Sequence, residues 1–430
     1  MKRNIFIVAL EDKQKAMLET LRQSKELEIH GLLTVDTAVE AKQFSFNEVL
    51  EAAREQLASF PGTVDAIIAQ WDFPTSVLVP ILCKEYGIPS PSVTSVLKCE
   101  HKLWSRMEQQ NVIPEVVPRF CGVDPFAESP FDQVTLNYPF WIKPVKAFSS
   151  HLGFKIENFE QFEAAIEEIR ENINQLGDPF NEALEYADTP EEIKQSGGNA
   201  CIAEEIISGV QGAPEGTMFQ GEFNVHGIIS QPKSKLTETL FDRLEYPSNL
   251  PEHVHHKMIE ASRKFLEHIG YNNGCFNAEF MWNEAEDKLW LVEFNTRISQ
   301  SHSEIFVMVD GMSNHEVAVD IALGNRPSLL NRQGVAPVAA KCFIPYEHKD
   351  GIVRKIPSDA EINDIKSLYP HTEVKIDVET GQRLSDLMHQ DNFCYRLGTL
   401  YLAANNHDQI EEQFEYCLKA LKFDIEHVDE

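Results

Sequence analysis

The stretch that most constrains the fold runs from Asn277 to Arg297. Asn277-Ala-Glu279-Phe-Met-Trp282 is followed by a polar Asn-Glu-Ala-Glu-Asp-Lys connection and then by Leu289-Trp-Leu-Val-Glu293-Phe-Asn295-Thr-Arg297. Two strand-like runs around a polar turn read as a β-hairpin. With the turn centred on Glu286, Glu279 lies directly opposite Glu293, and the two-residue period puts Glu293, Asn295 and Arg297 on one face. Opposed like charges destabilise a strand pair by up to about 1 kcal/mol when exposed, and by more when desolvated. A divalent cation offsets that cost. Carboxylate and amide oxygens are hard ligands, which favours magnesium or manganese bridging phosphates over zinc. Another register leaves both acids solvated, and the hairpin alone does not decide between the two.

The flanking sequence divides into three parts. Ile5 to Leu10 reads as a buried parallel strand and Asp65 to Ala69 as another, each followed by helical spacing such as Thr75 to Tyr86. This predicts a small α/β domain, closed by Gly87-Ile-Pro-Ser-Pro-Ser92 and ending near residue 97, with a new helix from near Val96 to about Gln110. Phe140-Trp-Ile-Lys143 is a strand entering a loop, Phe154 to Glu157 its return, and Asn158 to Asn174 an amphipathic helix: a compact lid. Gly177 to Asn199 is acidic, with two prolines and Gly197-Gly198, and is either an elaborated loop or a poorly ordered insertion.

From Ala200 to Phe294 strands dominate (Cys201 to Ile207, Gly221 to Ile229, Phe276 to Trp282, Leu289 to Phe294), with a helix from about His253 to Ile269. This predicts an antiparallel sheet with helical backing. A helix from Asn314 to Leu323 precedes a boundary at Gly324-Asn-Arg-Pro327, and the remainder reads as strands closed by a helix from Asp408 to Leu421. The expected fold class is α/β followed by α+β, over residues 1–97, 98–335 and 336–430.

The formal net charge is -30, from 38 Lys and Arg against 68 Asp and Glu. Such a field repels nucleic-acid phosphates and anionic membranes, so neither is an expected partner. An anionic substrate must then be held by locally placed cations or metal. The eight cysteines are scattered without CxxC or Cys/His spacing, which predicts a reduced, cytoplasmic setting. Only six apolar residues precede Glu11, too few for a signal sequence or a membrane span.

With these elements in place, the chain resembles the ATP-grasp superfamily, and in its last three quarters the biotin-carboxylase and carboxylate-amine (amino-acid) ligase branches. The family's Glu followed downstream by Glu-x-Asn-x-Arg is present as Glu279, Glu293, Asn295 and Arg297. The resemblance implies a Rossmann-like preATP-grasp domain, then the ATP-grasp region with its lid at about 140–205, and a carboxylase-like C-terminal α+β domain. It implies that Glu279, Glu293 and Asn295 hold two magnesium (or manganese) ions and that Arg297 steadies the phosphoryl group or acyl phosphate. Lys143 matches the lid lysine and Lys102 the lysine of the preceding helix, both neutralising ATP phosphates. Glu204-Glu205-Ile206-Ile207 resembles the hinge that reads adenine, with Ile207 offering its amide and an acid contacting adenine or ribose. Glu222 stands where relatives place a polar residue near the nucleotide.

Three departures bear on activity. Relatives follow the lid lysine with glycines that cradle phosphate, whereas this chain has Pro-Val-Lys-Ala-Phe-Ser149-Ser150-His-Leu-Gly153, where Ser149 and Ser150 are the candidate donors. Ser301 occupies the position at which biotin carboxylases carry the glutamate base for bicarbonate, which counts against carboxylation. Lys375 stands where carboxylases carry an arginine, and is either a contact to the acid substrate or acyl phosphate or an exposed strand lysine. His302 is either a base for an incoming ammonium or a packing and capping residue.

The resemblance thus implies a ligase that activates a small carboxylate as an acyl phosphate and joins it to an amine, an amino acid by default. A bicarbonate-activating carboxylase and a non-catalytic ATP sensor are the alternatives. A homodimer is the assembly common among such relatives.

Overall fold

Residues 2–41, 43–147, 152–232, 242–346, 350–387 and 395–428 are described by the structure, a computed structural model. The strand β1 (Arg3–Val8) is solvent-facing only at its start and buried over its last four residues, as befits a central parallel strand. It is flanked by β2 (Leu27–Leu32) and β3 (Ala66–Ala69), giving the parallel order β2-β1-β3. The helix Thr75–Tyr86 follows β3 as expected and ends at Gly87, whose φ of 67° supplies the left-handed turn. β2 lies in a segment assigned no strand from sequence, because His30 and Gly31 interrupt its apolar run.

The helix expected from Val96 to Gln110 is two helices, Val93–Glu100 and Lys102–Val112. They are broken at His101, whose extended backbone serves as C-cap of the first and N-cap of the second. The boundary expected near residue 97 therefore falls inside a helix. One hydrophobic core runs from Phe6, Val77 and Leu97 on its near side to Phe265, Phe280 and Phe294 on its far side.

The lid is a small antiparallel sheet of β4 (Phe120–Val123), β5 (Phe140–Pro144), β6 (Phe154–Ile156) and β7 (Cys201–Glu205) in the order β4-β7-β5-β6. The helix Phe159–Asn172 buries Phe162, Ala165, Ile166 and Ile169 against it. The acidic segment after it is not a loop: it forms the helices Asn174–Leu184 and Glu191–Ser196. Phe180 anchors it, fully buried and edge-on to Phe73 at 5.0 Å. Burial of such a ring contributes roughly 1.5–3 kcal/mol, enough to hold an otherwise polar segment on the first domain.

Except that the strand expected at Cys201 to Ile207 belongs instead to the lid sheet as β7, the antiparallel sheet forms as expected, from β8 (Val210–Phe219), β9 (Glu222–Gln231), β10 (Arg243–Tyr246), β11 (Gly274–Asn283) and β12 (Lys288–Asn295). It continues past residue 335 through β13 (Val338–Tyr346), β15 (Glu373–Ile376) and β16 (Tyr395–Ala404), in the order β12-β11-β8-β9-β10-β13-β16-β15. β14 (Gly351–Lys355) and β17 (Asp424–His427) pair separately. The sequence reading overlooked β8, since Gly212, Pro214 and Gly216 read as breakers. They are tolerated in a central strand because neighbours press on it: a Cβ at Gly212 would strike Met258 and Leu250, and one at Gly216 the Asn224 carbonyl and the Phe276 ring. No helix among the described residues is long and apolar enough to cross a membrane.

Candidate functional site

The β11–β12 hairpin places Glu279 opposite Glu293 and Asn277 opposite Asn295. The turn is centred between Ala285 and Glu286 rather than on Glu286. A bulge restores the alignment: Phe280 pairs with Leu291 while Glu279 pairs with Glu293, leaving Val292 as the extra residue. The Val292 carbonyl, out of the ladder, accepts from the Arg106 guanidinium at 2.8 Å.

Glu279 accepts from the Asn295 amide at 3.1 Å and from Gln211 at 2.8 Å. Burial, then the facing Glu293, pushes the Glu279 carboxyl up to about 7, while Lys102 at 3.2 Å holds Glu293 below the usual carboxylate range. Among the described residues no three His, Cys, Asp or Glu side chains are grouped to hold a metal by themselves. Two carboxylates and an amide are, however, a hard-oxygen set that substrate phosphates and water would complete for magnesium. The residues therefore fit such an ion.

Three cations, Lys102, Arg106 and Lys143, converge on this face. Lys102, first residue of its helix, also donates to the Ala147 carbonyl at 2.9 Å. Lys143 on β5 reaches Glu204 at 2.7 Å, and Arg106 takes the other oxygen of Glu204 at 2.6 Å. Burial would raise the Glu204 carboxyl, but Arg106 and Lys143 outweigh it and hold it at about 2. Lys102, Arg106, Lys143, Glu204, Val292 and Glu293 line one narrow cavity. The strand period separates the two acids of β7: Glu204 faces this cavity, whereas Glu205 turns to Arg119 at 2.9 Å. Ile207 lies half-buried just past the end of β7.

Arg297 makes a two-pronged contact with Asp72, Nε to Oδ1 at 2.7 Å and an Nη to Oδ2 at 2.8 Å. Asp72 belongs to the turn between β3 and Thr75–Tyr86, so the first domain contributes directly to the site. Nearby, Lys146 and Glu100 form a buried pair, and Ser76 donates to Glu100 at 2.6 Å.

Behind the hairpin, Glu215 of β8 is fully buried and accepts from the Ser299 amide (3.0 Å) and the Asn314 side chain (2.7 Å). His302 Nδ1 lies 2.8 Å and His226 Nε2 3.3 Å from its carboxylate. Burial would raise Glu215, yet its two histidine partners hold it at about 2. His302 is thereby fixed within the core, and its position matches the packing alternative. His315 is likewise buried, 2.6 Å from Gln70, and burial pushes it down to about 4.

Glu222 is not brought to this cluster. It begins β9 beside an ion pair with Arg326, opposite Phe219. The adjacent Met218 pairs with Gly274, five residues and about 17 Å of strand from Glu279. Lys375 lies over the Tyr401 ring at 4.6 Å and 3.3 Å from Glu304, which follows Arg297 by seven residues. Ser149 and Ser150 lie outside the described residues. Sequence reasoning missed Asp72, Arg106, Gln211 and Glu215. Only the alternation of Gln211 and Glu215 along β8 carried a signal, and the breakers within that strand hid it.

Residues 136–304, from just before β5 to the start of the helix Ser303–Asp310, match the family model described as an ATP-grasp domain. No curated protein matches the chain in sequence. Among solved structures, the chain is similar to an L-amino acid ligase from Bacillus licheniformis (TM-score 0.70, 15% identity, 98% of each chain covered). It is also similar to a biotin carboxylase from Campylobacter jejuni bound to an ATP analogue (0.62, 16%, 99% of this chain and 93% of that one). A third is the N5-carboxyaminoimidazole synthetase from Staphylococcus aureus complexed with ADP (0.65, 13%, 97% and 98%). Residues 136–304 thus match the ATP-grasp domain model, and nearly the whole chain shares the fold of these solved structures.

Proposed function

We propose that this protein is an ATP-dependent, ADP-forming ligase that activates a small carboxylate as an acyl phosphate and joins it to an amine, an amino acid in the simplest case. The observation that carries this reading is the opposition of Glu279 and Glu293, with the Asn295 amide donating to Glu279. Two magnesium (or manganese) ions held by Glu279, Glu293 and Asn295 would neutralise phosphate charge when bound.

The chain's own groups do the rest. Lys102 and Lys143 exchange Glu293 and Glu204 for the ATP phosphates, with Ser149 and Ser150 as further donors. Ile207 offers its amide to adenine at the end of β7, with Glu204 or Glu205 beside the base or ribose. An oxygen of the substrate carboxylate attacks the γ-phosphorus and ADP leaves. Arg297, oriented by Asp72, stabilises charge on the transferred group. The amine then attacks the acyl carbon, phosphate departs, and one proton passes from the attacking nitrogen to solvent. Lys375 would contact the acid substrate or its acyl phosphate, and a reduced cytoplasmic setting belongs to the same reading.

The test is ADP release by the purified protein with magnesium and ATP, against carboxylates and amines singly and in pairs, with Glu293→Gln as control. Turnover requiring both partners, and lost in the control, supports the ligase. ADP release driven by bicarbonate alone overturns it in favour of a carboxylase. ATP binding with no release across the whole panel leaves a nucleotide sensor.

A further inference from the structure

Beyond the ATP cavity, a second charged cluster joins the first domain to the C-terminal sheet. Lys13, in the first turn of the helix Asp12–Glu19, and Lys375 on β15 approach the same oxygen of Glu304, Oε1, at 3.5 and 3.3 Å. Lys341 on β13 donates to the Ser301 hydroxyl at 3.2 Å. Three ammonium groups thus gather round one carboxylate, in a protein whose net charge is -30. Burial, then Lys13, pushes Lys341 down to about 8, and Arg396 and Lys375 add to that. Lys13 is 63% and Lys375 39% exposed, so the cost of clustering falls on half-buried Lys341, and an anion would relieve it.

The remaining atom of the cluster carries the opposite demand. Glu304 is 9% exposed, and its Oε2 makes no close hydrogen bond, although the Tyr401 hydroxyl faces this carboxylate. A buried carboxylate oxygen left unpaired is expensive, so it calls for a donor. One ligand meets both needs if it bears a carboxylate for the lysines and an ammonium for Glu304.

We propose that Lys341, Lys375 and Lys13, with Glu304 Oε2, form the binding site for a free α-amino acid, held by its carboxylate and its ammonium group. The inference rests on the ligase reading for its role but not for its existence. Ser301 and Glu304 follow Arg297 by four and seven residues. The amino acid therefore sits beside the centre where the acyl phosphate would form. Its carboxylate is clamped by lysines, so it is not the acid that is activated, and its ammonium must first give up a proton to solvent before the nitrogen can attack as the amine partner.

Each natural L-amino acid is added singly to the full chain in calorimetric titrations, without ATP. The best binder is then compared with its deamino acid and its carboxamide. Wild type is expected to bind one or a few amino acids and to lose about tenfold or more with either analogue. Lys341→Met should weaken the amino acid to the level of the carboxamide and abolish the preference against that analogue. Glu304→Gln should do the same with respect to the deamino acid. Selective loss of one preference in each variant cannot come from general unfolding. Failure of every amino acid to bind wild type overturns the proposal, as do unchanged preferences in both variants. Turnover separates the two readings. Amino-acid pairs that release ADP with an unchanged KM in Lys341→Met keep the ligase and sink this site. Binding lost in the variants without any turnover keeps the site and sinks the ligase.

Discussion

Glu279 faces Glu293 because Val292 is bulged out of the ladder between them, and the carbonyl so released is taken by Arg106. The bulge does two things at once. It sets the register of the acids at the far end of the hairpin, and it ties that end to the helix bearing Lys102. The face carrying the opposed acids and the helix bearing Lys102 are thus positioned by one irregular residue.

Metal-free protein should lose stability as pH rises from about 4.5 to about 7. Glu279 binds its proton more tightly folded than unfolded, so its contribution is fully present below the unfolded value and is lost through the folded one. The effect should be on the order of 1–3 kcal/mol. Thermal midpoints of wild type and Glu279→Gln, with and without millimolar magnesium, measure it. Wild type should regain stability with magnesium at about pH 8, whereas the variant should show neither the slope nor the gain. Equal magnesium responses in the two proteins would remove Glu279 from the metal site.

Glu204 lies on the opposite side of its usual value. Arg106 and Lys143 hold it at about 2, so the stability it supplies is present above about 4.5 and fades as pH falls towards about 2. Glu204→Gln also leaves the Arg106 charge buried without its anion, a loss of about 3–5 kcal/mol. Urea midpoints should therefore differ widely between the two proteins at about pH 7 and draw together at about pH 3. A gap that does not narrow in acid would contradict the assignment.

The Asp72–Arg297 contact predicts coupling between two parts of the chain 225 residues apart. Lysine cannot make the two-pronged contact, so Arg297→Lys should lower kcat by about 10²–10³ while leaving the KM for ATP nearly unchanged. Asp72→Asn should lower kcat by about tenfold through misorientation of the guanidinium. The double variant should resemble Arg297→Lys alone, since the aspartate then has nothing left to orient. Multiplicative losses would mean that Asp72 acts independently of Arg297.

Much of this arrangement was legible in the sequence because strand alternation is a strong signal where both faces are constrained. Helices such as Thr75–Tyr86 and Glu252–His268 were visible by spacing. What stayed hidden depended on tertiary contacts. β8 carries Glu215 and Gln211 into the middle of the sheet, yet its glycines and proline make sense only once Met258, Leu250 and Phe276 are seen pressing on it. The segment after Asn172 reads as polar filler until Phe180 is found against Phe73. The acids of β7 look equivalent until the lid sheet points Glu204 inward and Glu205 towards Arg119. Glu222 looked plausible in linear order and was misplaced because the β8–β9 hairpin carries it to the far end of its strands.

His302 shows how a residue suited to proton transfer serves another end. Its Nδ1 is tied to Glu215, whose other partners include the Ser299 amide and Asn314, so the ring helps hold the loop that presents Arg297. His302→Gln should therefore cost about 1–3 kcal/mol of stability, by weakening the contacts of a fully buried carboxylate. Activity should fall modestly, through a looser Arg297, with the shape of the kcat profile against pH unchanged. Denaturant midpoints and that profile, measured together, separate positioning from proton transfer. Loss of one limb of the profile in His302→Gln, at unchanged stability, would make His302 the base for the incoming amine and overturn the structural assignment.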